Sequence, residues 1–495
     1  MKKGEKSATI IKADVFRRTG DATMELLRRL YAPDHMLKPA QKQQEKYDTK
    51  EFYKSFVKVA WPATMESVLL GLVNFIDSIM VSTVGTDAVA AVGLTSQPRF
   101  IFYAVFFALN IGVTAIVSRR KGENDRESAN KTLAQALSLC MILGIVLVGT
   151  AIYFAEPLLR FSGAEDDTIG MATSYFRITM IGMLCTSISL LINAAQRGSG
   201  NTRISMTTNM TANIVNCCFN ALLINGLFFF PKLGVTGAAI ATMLGNMTSC
   251  AMSIYSVSHP DRFLHLRPSS LFKFKRKDLS LICKISSSAA IEQVFMRFGF
   301  FIVAKMVAEL GTTDFATHTI CMSIVNLSFC FGDGLGVAAS SLVGQNLGKR
   351  RPDYSIIYGK TAQRIGFCIA VLLILLFTLG GELLINLFMS KGEENAELIV
   401  NTGVKILFIL AAITPAQISQ VIYSGCVRGA GDTTYAAVVS LVCIALVRPT
   451  MTYLMCYVLP FGVIGAWVAM SIDQYLRLLF MLIRFSGGKW AKVKV

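Results

Sequence analysis

Asp77 is a carboxylate in the middle of an apolar stretch, residues 61–85, that is long enough to cross a lipid bilayer. A helical crossing takes about 20 apolar residues, and an ionisable group near its centre costs roughly 2.5–3.5 kcal/mol on insertion scales. Such groups face the interior of a helix bundle or a water-filled cavity. Two interpretations follow: a structural carboxylate hydrogen-bonded to a neighbouring helix, or a cation or proton site on a transport pathway. We favour the second.

Asparagines at helical spacing offer partners for this carboxylate. Asn216 and Asn220 lie four residues apart in a later apolar segment, so they share one helix face, and Asn209 and Asn213 extend the polar stripe. One carboxylate and several amide oxygens suit a small hard cation such as sodium. Amides do not titrate, which favours sodium over a proton. Thr242 is a further candidate ligand. The alternative is that the asparagines only cross-link helices, at about 0.6 kcal/mol each.

Further polar residues inside apolar segments are candidates for substrate binding or gating. Glu66 and Glu292 either attract a cationic substrate or stabilise one state of the protein through charge pairs and hydrogen bonds. Arg297 lies five residues after Glu292, which predicts a charge pair, although this spacing is not ideal for one helix face. Asp333 is a gating or helix-packing residue. The full set is Glu66, Asn74, Glu292, Gln293, Arg297, Asp333, Gln417 and Gln420.

The composition is that of a polytopic membrane protein. Of its 495 residues, 53% are hydrophobic and 16% are charged, against roughly 25% charged residues in soluble domains. The net charge of +17 would suit nucleic acid, but the basic residues fall in loops between apolar segments, so we expect no nucleic-acid partner. The twelve cysteines lie mostly in apolar segments and are interpreted as small buried hydrophobic residues. The polar first 50 residues predict no cleavable signal peptide.

Twelve apolar segments predict twelve transmembrane helices. Their spans are 57–84, 88–117, 132–154, 168–195, 203–228, 234–258, 281–310, 314–343, 361–388, 398–426, 434–458 and 462–485. Loops after even-numbered segments are basic, and those after odd-numbered segments are short or acidic. The positive-inside rule then places both termini in the cytoplasm.

The chain repeats itself at an offset of about 226–231 residues. The sequence QRGSGNT at 196–202 pairs with VRGAGDT at 427–433, and Glu66 pairs with Glu292. Segment counts and loop sides match, which predicts two parallel six-helix repeats with the substrate site at their interface. Asp77 maps to Val303, where there is no acid. We therefore expect the polar machinery to be concentrated in the first repeat.

These repeats predict a domain organisation with basic ends. Pieces 9–16 and 23–31 of the N-terminal tail predict short amphipathic helices on the membrane surface, with a disordered tail as the alternative. The predicted divisions are a cytoplasmic tail at 1–55, a first lobe at 56–258, a linker at 259–278, a second lobe at 279–485 and a C-terminal tail at 486–495.

The chain resembles the MATE family of multidrug and toxic compound extrusion transporters over residues 55–485. The resemblance is carried by the spacing P-x(14)-D from Pro62 to Asp77 and by the two RGxG[ND]T loops. The Gly-x-x-Gly-Ala helix starts at Gly234 and Gly462 add to it, as does LVGQNLG at 342–348. Each motif is short, and it is their combination in both repeats that is specific.

The resemblance implies an all-α integral membrane fold with twelve transmembrane helices. These would form two six-helix lobes related by a pseudo-twofold axis along the membrane normal. It also implies an antiporter that exports amphipathic, often cationic, organic compounds in exchange for Na⁺ or H⁺ by alternating access. In the family the aspartate equivalent to Asp77 is central to cation coupling, and the N-x-x-x-[ND] pattern beside it matches Asn216 and Asn220. The expected protein is a monomer in a bacterial plasma membrane, with no cofactor beyond the coupling ion.

The sequence also bears on three other classes of function. A lipid-linked oligosaccharide flippase shares the general fold and would carry arginines or lysines inside its helices, for which Arg297, Lys305 and Arg448 are candidates. An integral membrane enzyme would need a cluster of histidines, cysteines or acids at one membrane surface, and the sequence shows no such cluster. A channel does not explain parallel repeats with an asymmetric buried acid. No ATPase signature appears, so energy is expected from an ion gradient.

Overall fold

In a computed structural model, the chain forms a bundle of long helices. The structure describes residues 31–42, 47–82, 84, 86–164, 166, 168–226, 230–388, 395–459 and 461–493. Of the tail pieces predicted to form surface helices, 9–16 and 23–31, all but Tyr31 lie outside the described residues.

The first six long helices correspond to the first predicted repeat. They are α1 (Thr49–Ser82), α2 (Thr86–Gly122), α3 (Arg126–Tyr153), α4 (Ile169–Gly198), α5 (Thr202–Asn225) and α6 (Gly234–Ser258). A short helix, Ala155–Phe161, follows α3.

The second set of six repeats this order. It comprises α7 (Arg276–Ala308), α8 (Thr312–Gly348), α9 (Pro352–Leu379), α10 (Ala396–Gly429), α11 (Thr433–Val458) and α12 (Gly462–Ser486). A short helix, Gly381–Asn386, follows α9 just as one follows α3. Helices α2 and α8 both have 37 residues, and α3 and α9 both have 28. The twelve-helix, two-lobe fold predicted from the sequence is confirmed.

The internal repeat extends to single hydrogen bonds. The Thr202 hydroxyl donates to the carbonyl of Val59 at 2.8 Å, and the equivalent Thr433 hydroxyl donates to the carbonyl of Ile285 at 3.3 Å. The glycines of the two RGxG loops, Gly200 and Gly431, have φ angles of 86° and 87°. Only a residue without a side chain adopts that conformation at little cost. Both lobes therefore join their fourth and fifth helices through the same turn.

Helix α9 is where the predicted boundaries were furthest wrong. The apolar run predicted a span at 361–388, but the helix begins at Pro352 and ends at Leu379. Its first turns are polar and nevertheless packed inside the protein: Asp353 is buried beside Arg351, and Tyr47 donates to it at 3.2 Å. Hydropathy alone misses a helix start whose polar groups are satisfied by protein contacts.

Nine of the twelve long helices in the described part of the chain are long and apolar enough to cross a membrane. The remaining three are α5, α6 and α7. Helices α5 and α6 carry the asparagine stripe and Thr242, and α7 begins in the basic linker. Their polar residues lower the hydropathy of segments whose polar faces are turned to other helices.

The two lobes meet most closely at the end of the bundle that carries the basic loops, called the basic end below. Helix α1 packs on α8, and α2 packs on both α7 and α8. At the basic end the Gln345 amide donates to the Gly198 carbonyl at 2.9 Å, and the Ser341 hydroxyl donates to the same oxygen at 3.2 Å. A Cβ atom at Gly122 would lie only 1.8 Å from the Gln345 carbonyl oxygen. The seam between the lobes is therefore closed at this end.

The first turns of α1 and α7 are exchanged between the lobes. Phe52 and Phe56 of α1 pack into the core of the second lobe, whereas Ile282 and Ile285 of α7 pack into the core of the first. The chain before α1 joins the second lobe too, because the Lys360 ammonium donates to the Met36 carbonyl at 2.5 Å. Part of the segment predicted as a tail is thus a packed element of the second lobe.

The linker between the lobes is fastened to α3. The Arg126 guanidinium donates to the carbonyls of Pro260, Arg262 and Phe263. Helix α3 itself is capped by Asp125, whose carboxylate accepts from the backbone N–H of Ser128 at 3.0 Å. That hydrogen bond favours the charged carboxylate and lowers the pKa of Asp125.

Candidate cation site and central cavity

Asp77 on α1 is surrounded by amide and hydroxyl side chains of the same lobe. The Asn220 amide donates to the Asp77 carboxylate at 2.8 Å and to the Asn216 side-chain oxygen at 3.3 Å. The Asn216 amide contacts the Thr242 hydroxyl at 3.3 Å. Asn216 and Asn220 are only 6% and 1% exposed. The residues predicted from helical spacing are therefore brought together across α1, α5 and α6.

The Asn216 amide has two orientations with different consequences. In the first, its oxygen faces the site and accepts from Asn220. In the second, its nitrogen donates to both oxygens of Asp77 at 3.0 and 3.1 Å, and its oxygen accepts from the backbone N–H of Thr242 at 3.1 Å. The second orientation satisfies more polar atoms and surrounds the carboxylate with donors. The first presents an additional oxygen to the site.

One oxygen of this cluster is left without a partner. The Asn220 side-chain oxygen is buried and has no hydrogen-bond donor among the described residues. With the two Asp77 oxygens and the Asn216 oxygen in its inward orientation, it provides a set of hard oxygen ligands of the kind that alkali and alkaline-earth cations prefer. These residues fit a small cation. The same carboxylate with amide donors around it also fits a proton acceptor.

The other residues predicted near this cluster are less closely involved. Asn213 is half-buried and lies outside the cluster's hydrogen bonds in the described part of the chain. The side chain of Asn74 lies outside what the structure describes. Asn209 belongs to a different cluster, around Glu66, which lies eleven residues, or about three helical turns, closer to the basic end.

Glu66 is the centre of that second cluster. Its carboxylate accepts from Arg197 at 3.1 Å, from Ser205 at 2.8 Å and from Asn209 at 2.6 Å. Arg197 also donates to the side-chain oxygen of Asn110 at 3.3 Å. The Glu66–Arg197 pair and its hydrogen bonds therefore connect α1, α2, α4 and α5 of the first lobe.

Glu292 makes the equivalent cluster in the second lobe. Its carboxylate accepts from Arg428 at 2.5 Å and from Ser440 at 2.9 Å. The predicted pair with Arg297 is wrong, since five residues place the two side chains on different sides of the helix. The guanidinium of Arg297 instead lies over the ring of Phe100 in the other lobe, 4.5 Å from its centre. The RGxG loops thus supply the arginine partner of the glutamate in each lobe.

A central cavity of about 310 Å³ lies between the lobes. Its polar lining residues are Asn110, Thr114, Arg197, Gln293, Arg297, Asp333, Ser340 and Arg428. Of the predicted substrate or gating residues, Gln293, Arg297 and Asp333 are in this lining. Glu66, Glu292, Gln417 and Gln420 are not in it, and all four are buried. The cavity wall therefore presents the arginines of the two charge pairs rather than their glutamates.

A third charged cluster was missed by the sequence analysis. Asp473 on α12 is fully buried and accepts from Arg448 at 2.5 Å and from Arg477 at 3.1 Å. Polar machinery is therefore not confined to the first lobe. The signal in the sequence was the spacing of Asp473 and Arg477, four residues apart in an apolar segment.

The fold is that of MATE transporters. It matches the outward-facing conformation of a multidrug resistance MATE family transporter of the MOP superfamily with a TM-score of 0.82 and 22% identity, covering 88% of this chain and 97% of that chain. A crystal structure of MATE in complex with MaL6 gives the same TM-score, identity and coverage.

Sequence comparison defines the family. The chain is 26% identical to the Probable multidrug resistance protein NorM of Thermotoga maritima, over 90% of this chain and 95% of that protein. It is 23% identical to the Uncharacterized transporter YisQ of Bacillus subtilis, over 88% and 94%. The MatE family profile matches residues 62–222 and 288–454. The chain belongs to the MatE family.

Proposed function

We propose that this protein is a multidrug exporter that moves amphipathic organic compounds out of the cell in exchange for an inward-moving cation. The observation that carries the proposal is the cluster of Asp77, Asn216, Asn220 and Thr242, an ion-binding set inside an apolar bundle. The relatives named as multidrug resistance proteins span nearly the whole chain, which supports the same function.

The coupling ion is assigned to the oxygen set around Asp77. Sodium is coordinated by the Asn220 oxygen, the Asp77 carboxylate and the Asn216 oxygen, the last when that oxygen faces the site. Without the ion, the amide turns and its nitrogen donates to the carboxylate. Rotation of the Asn216 amide therefore replaces an N–H that donates to Asp77 by an oxygen that binds the ion. A proton on Asp77 is the alternative, with the asparagines as its hydrogen-bonding shell.

The substrate occupies the central cavity between the lobes. The seam is closed at the basic end, so the described conformation blocks passage there. We assign this end to the cytoplasm by the positive-inside rule, and a state closed there is then the outward-facing one of the alternating cycle. Among the described lining residues, Asp333 is the acid and Arg297 is an arginine without a salt bridge. Both termini are then cytoplasmic, and the protein works as a monomer in the bacterial plasma membrane.

A lipid-linked oligosaccharide flippase is the alternative function. Arg297 and Arg448 do lie inside the bundle, as such a protein requires. The relatives named as multidrug resistance proteins nevertheless support efflux, so the flippase is not the better supported function.

Transport in proteoliposomes tests the proposal. A sodium gradient and a pH gradient are imposed separately, and the movement of a fluorescent cationic dye is followed for the wild type and for Asp77→Asn. The matched control is Asp314→Asn, which neutralises a carboxylate at the first turn of α8, away from the cluster. Sodium-driven dye transport that is lost only in Asp77→Asn is expected. Normal transport by a folded Asp77→Asn protein would overturn the proposal.

A further inference from the structure

The second lobe contains its own cavity, separate from the cation cluster of the first lobe. It has a volume of about 260 Å³ and lies among α7, α8, α11 and α12. Aromatic rings form much of its wall, including Phe300, Phe315 and Trp467. Arg297 lines both this cavity and the central one, so the two adjoin at that residue.

The charges around this cavity are positive. Arg448 is only 2% exposed, lines the cavity and shares the single carboxylate of Asp473 with Arg477. Two guanidinium groups on one carboxylate leave one positive charge in the cluster. Arg297 adds another, since it has no salt bridge among the described residues. None of the lining residues in the described part of the chain is an aspartate or glutamate.

Local backbone geometry positions Arg448. The residues before it, Leu441–Val447, form a π-helix, and Pro449 follows it. Proline has no N–H to donate, and π-helical turns are frequent at functional sites. The equivalent helix of the first lobe, α5, is α-helical from Thr202 to Asn225. The backbone of the second lobe therefore differs from that of the first next to Arg448, the residue that carries a positive charge into this cavity.

Two buried polar atoms in the cavity wall, one of them certainly a donor, lack partners among the described residues. The indole N–H of Trp467 is buried, has no partner among the described residues, and can only donate. The Nδ1 atom of His318, also in the wall, is buried without a partner. A buried donor without an acceptor is costly, and an anionic oxygen would satisfy it. The positive charge of the arginines and the unpartnered indole N–H both favour an anionic oxygen ligand.

We propose that this cavity binds the acid group of a small aromatic amphiphile, a carboxylate or sulfonate on one or two rings. Arg448 and Arg297 neutralise the acid, and the Trp467 N–H donates to it. The rings of Phe300 and Phe315 pack against the aromatic part of the ligand. The proposal goes beyond export of organic cations and does not depend on it, because equilibrium binding to the purified protein measures it directly.

The experiment uses the full-length protein in nanodiscs of neutral phosphatidylcholine, with binding measured by isothermal titration calorimetry. The probe is naphthalene-1-sulfonate, and the matched cation is naphthyl-trimethylammonium. Wild-type protein is expected to bind the sulfonate at least about tenfold more tightly than the cation, since each tenfold corresponds to the free energy of one good charged hydrogen bond.

Variants locate the site. Arg297→Gln removes a charge without breaking a salt bridge among the described residues, and Trp467→Phe removes the N–H while keeping a smaller aromatic ring. Each is expected to weaken sulfonate binding by about tenfold. Arg177→Gln, on an exposed part of α4, is expected to leave it within twofold. Sulfonate binding that stays unchanged in Arg297→Gln or in Trp467→Phe would overturn the proposal and leave the arginine cluster as an internal link between α11 and α12.

Discussion

At the residue scale, the protein is organised by pairs of opposite charge that are far apart in sequence. Glu66 meets Arg197, and Glu292 meets Arg428, each joining helices of one lobe. Since the arginines come from the two RGxG loops, the same motif that makes the turn also supplies the charge partner. These pairs neutralise glutamates that would otherwise be isolated in an apolar interior.

Glu292→Gln is expected to destabilise the protein by about 2–3 kcal/mol, because it leaves the largely buried Arg428 without its countercharge. The melting temperature in detergent should fall by several degrees. The matched control is Glu156→Gln, whose partner Arg160 is half-exposed, and exposed pairs contribute only about 0–1 kcal/mol. An equal effect of the two substitutions would show that the Glu292 pair is not a buried structural contact.

Asn220→Ala is expected to raise the sodium concentration for half-maximal transport by about tenfold, the loss of one good ligand contact. It removes both the donor to Asp77 and the unpartnered buried oxygen. Asn213→Ala is the control, since Asn213 lies on the same helix but outside the cluster. Dye transport measured against sodium concentration distinguishes them. Identical curves for both variants would argue against an ion site at Asn220.

At the scale of elements, the ends of α2 and α8 decide whether the basic end is closed. Gly122 and Gln345 approach so closely that no side chain fits between them. The neighbouring hydrogen bonds from Gln345 and Ser341 to Gly198 fasten α8 to α4. These contacts are made only while the lobes touch, so they contribute to the stability of one state and not of the other.

Gly122→Ala is therefore expected to open the basic end. Overpacking costs roughly 1–3 kcal/mol in the closed state alone, which shifts a two-state equilibrium by about 5- to 150-fold. Gly149→Ala is the matched control, because a Cβ atom there meets nothing within 4 Å. The control should leave the equilibrium unchanged.

The distance between two spin labels measures the equilibrium between the closed and open states of the basic end. Labels at Arg203→Cys and Lys349→Cys sit on exposed positions of the two lobes at the basic end. The exposed native cysteines, Cys218, Cys283 and Cys368, are first replaced by serine. A longer distance population should appear in Gly122→Ala and not in Gly149→Ala. The same distances in both proteins would show that the glycine contact does not hold the seam closed.

At the scale of the whole molecule, the sequence was sufficient for the fold. Apolar segments predicted twelve helices, and the paired motifs predicted two lobes, because membrane-spanning helices must be long and apolar and the repeat is preserved in the turns. Helix α9 was misplaced because its first turns are polar yet packed, as the burial of Asp353 shows. A linear pattern does not reveal that a polar residue has a partner from another part of the chain.

The candidate sites were only partly predictable for the same reason. Spacing brought Asn216 and Asn220 onto one face, and the structure places that face against Asp77. The partner of Glu292 could not be found by spacing, since Arg428 lies 136 residues away. Asp473 was overlooked although Arg477 lies four residues away, and spacing does not reveal its second partner, Arg448, 25 residues away. Symmetry between the lobes, applied to the glutamates and the RGxG arginines together, would have identified both charge pairs.

The most direct test is to measure whether an outward dye gradient drives sodium uptake. Proteoliposomes are given an outward dye gradient with equal sodium on both sides and no pH gradient, and uptake of radioactive sodium is followed. The wild type and Asp314→Asn should accumulate sodium against its equilibrium while dye leaves, and Asp77→Asn should not. Dye-driven sodium accumulation that persists in Asp77→Asn would contradict coupling at this carboxylate. Dye efflux that moves protons and no sodium would contradict the assignment of sodium to the cluster.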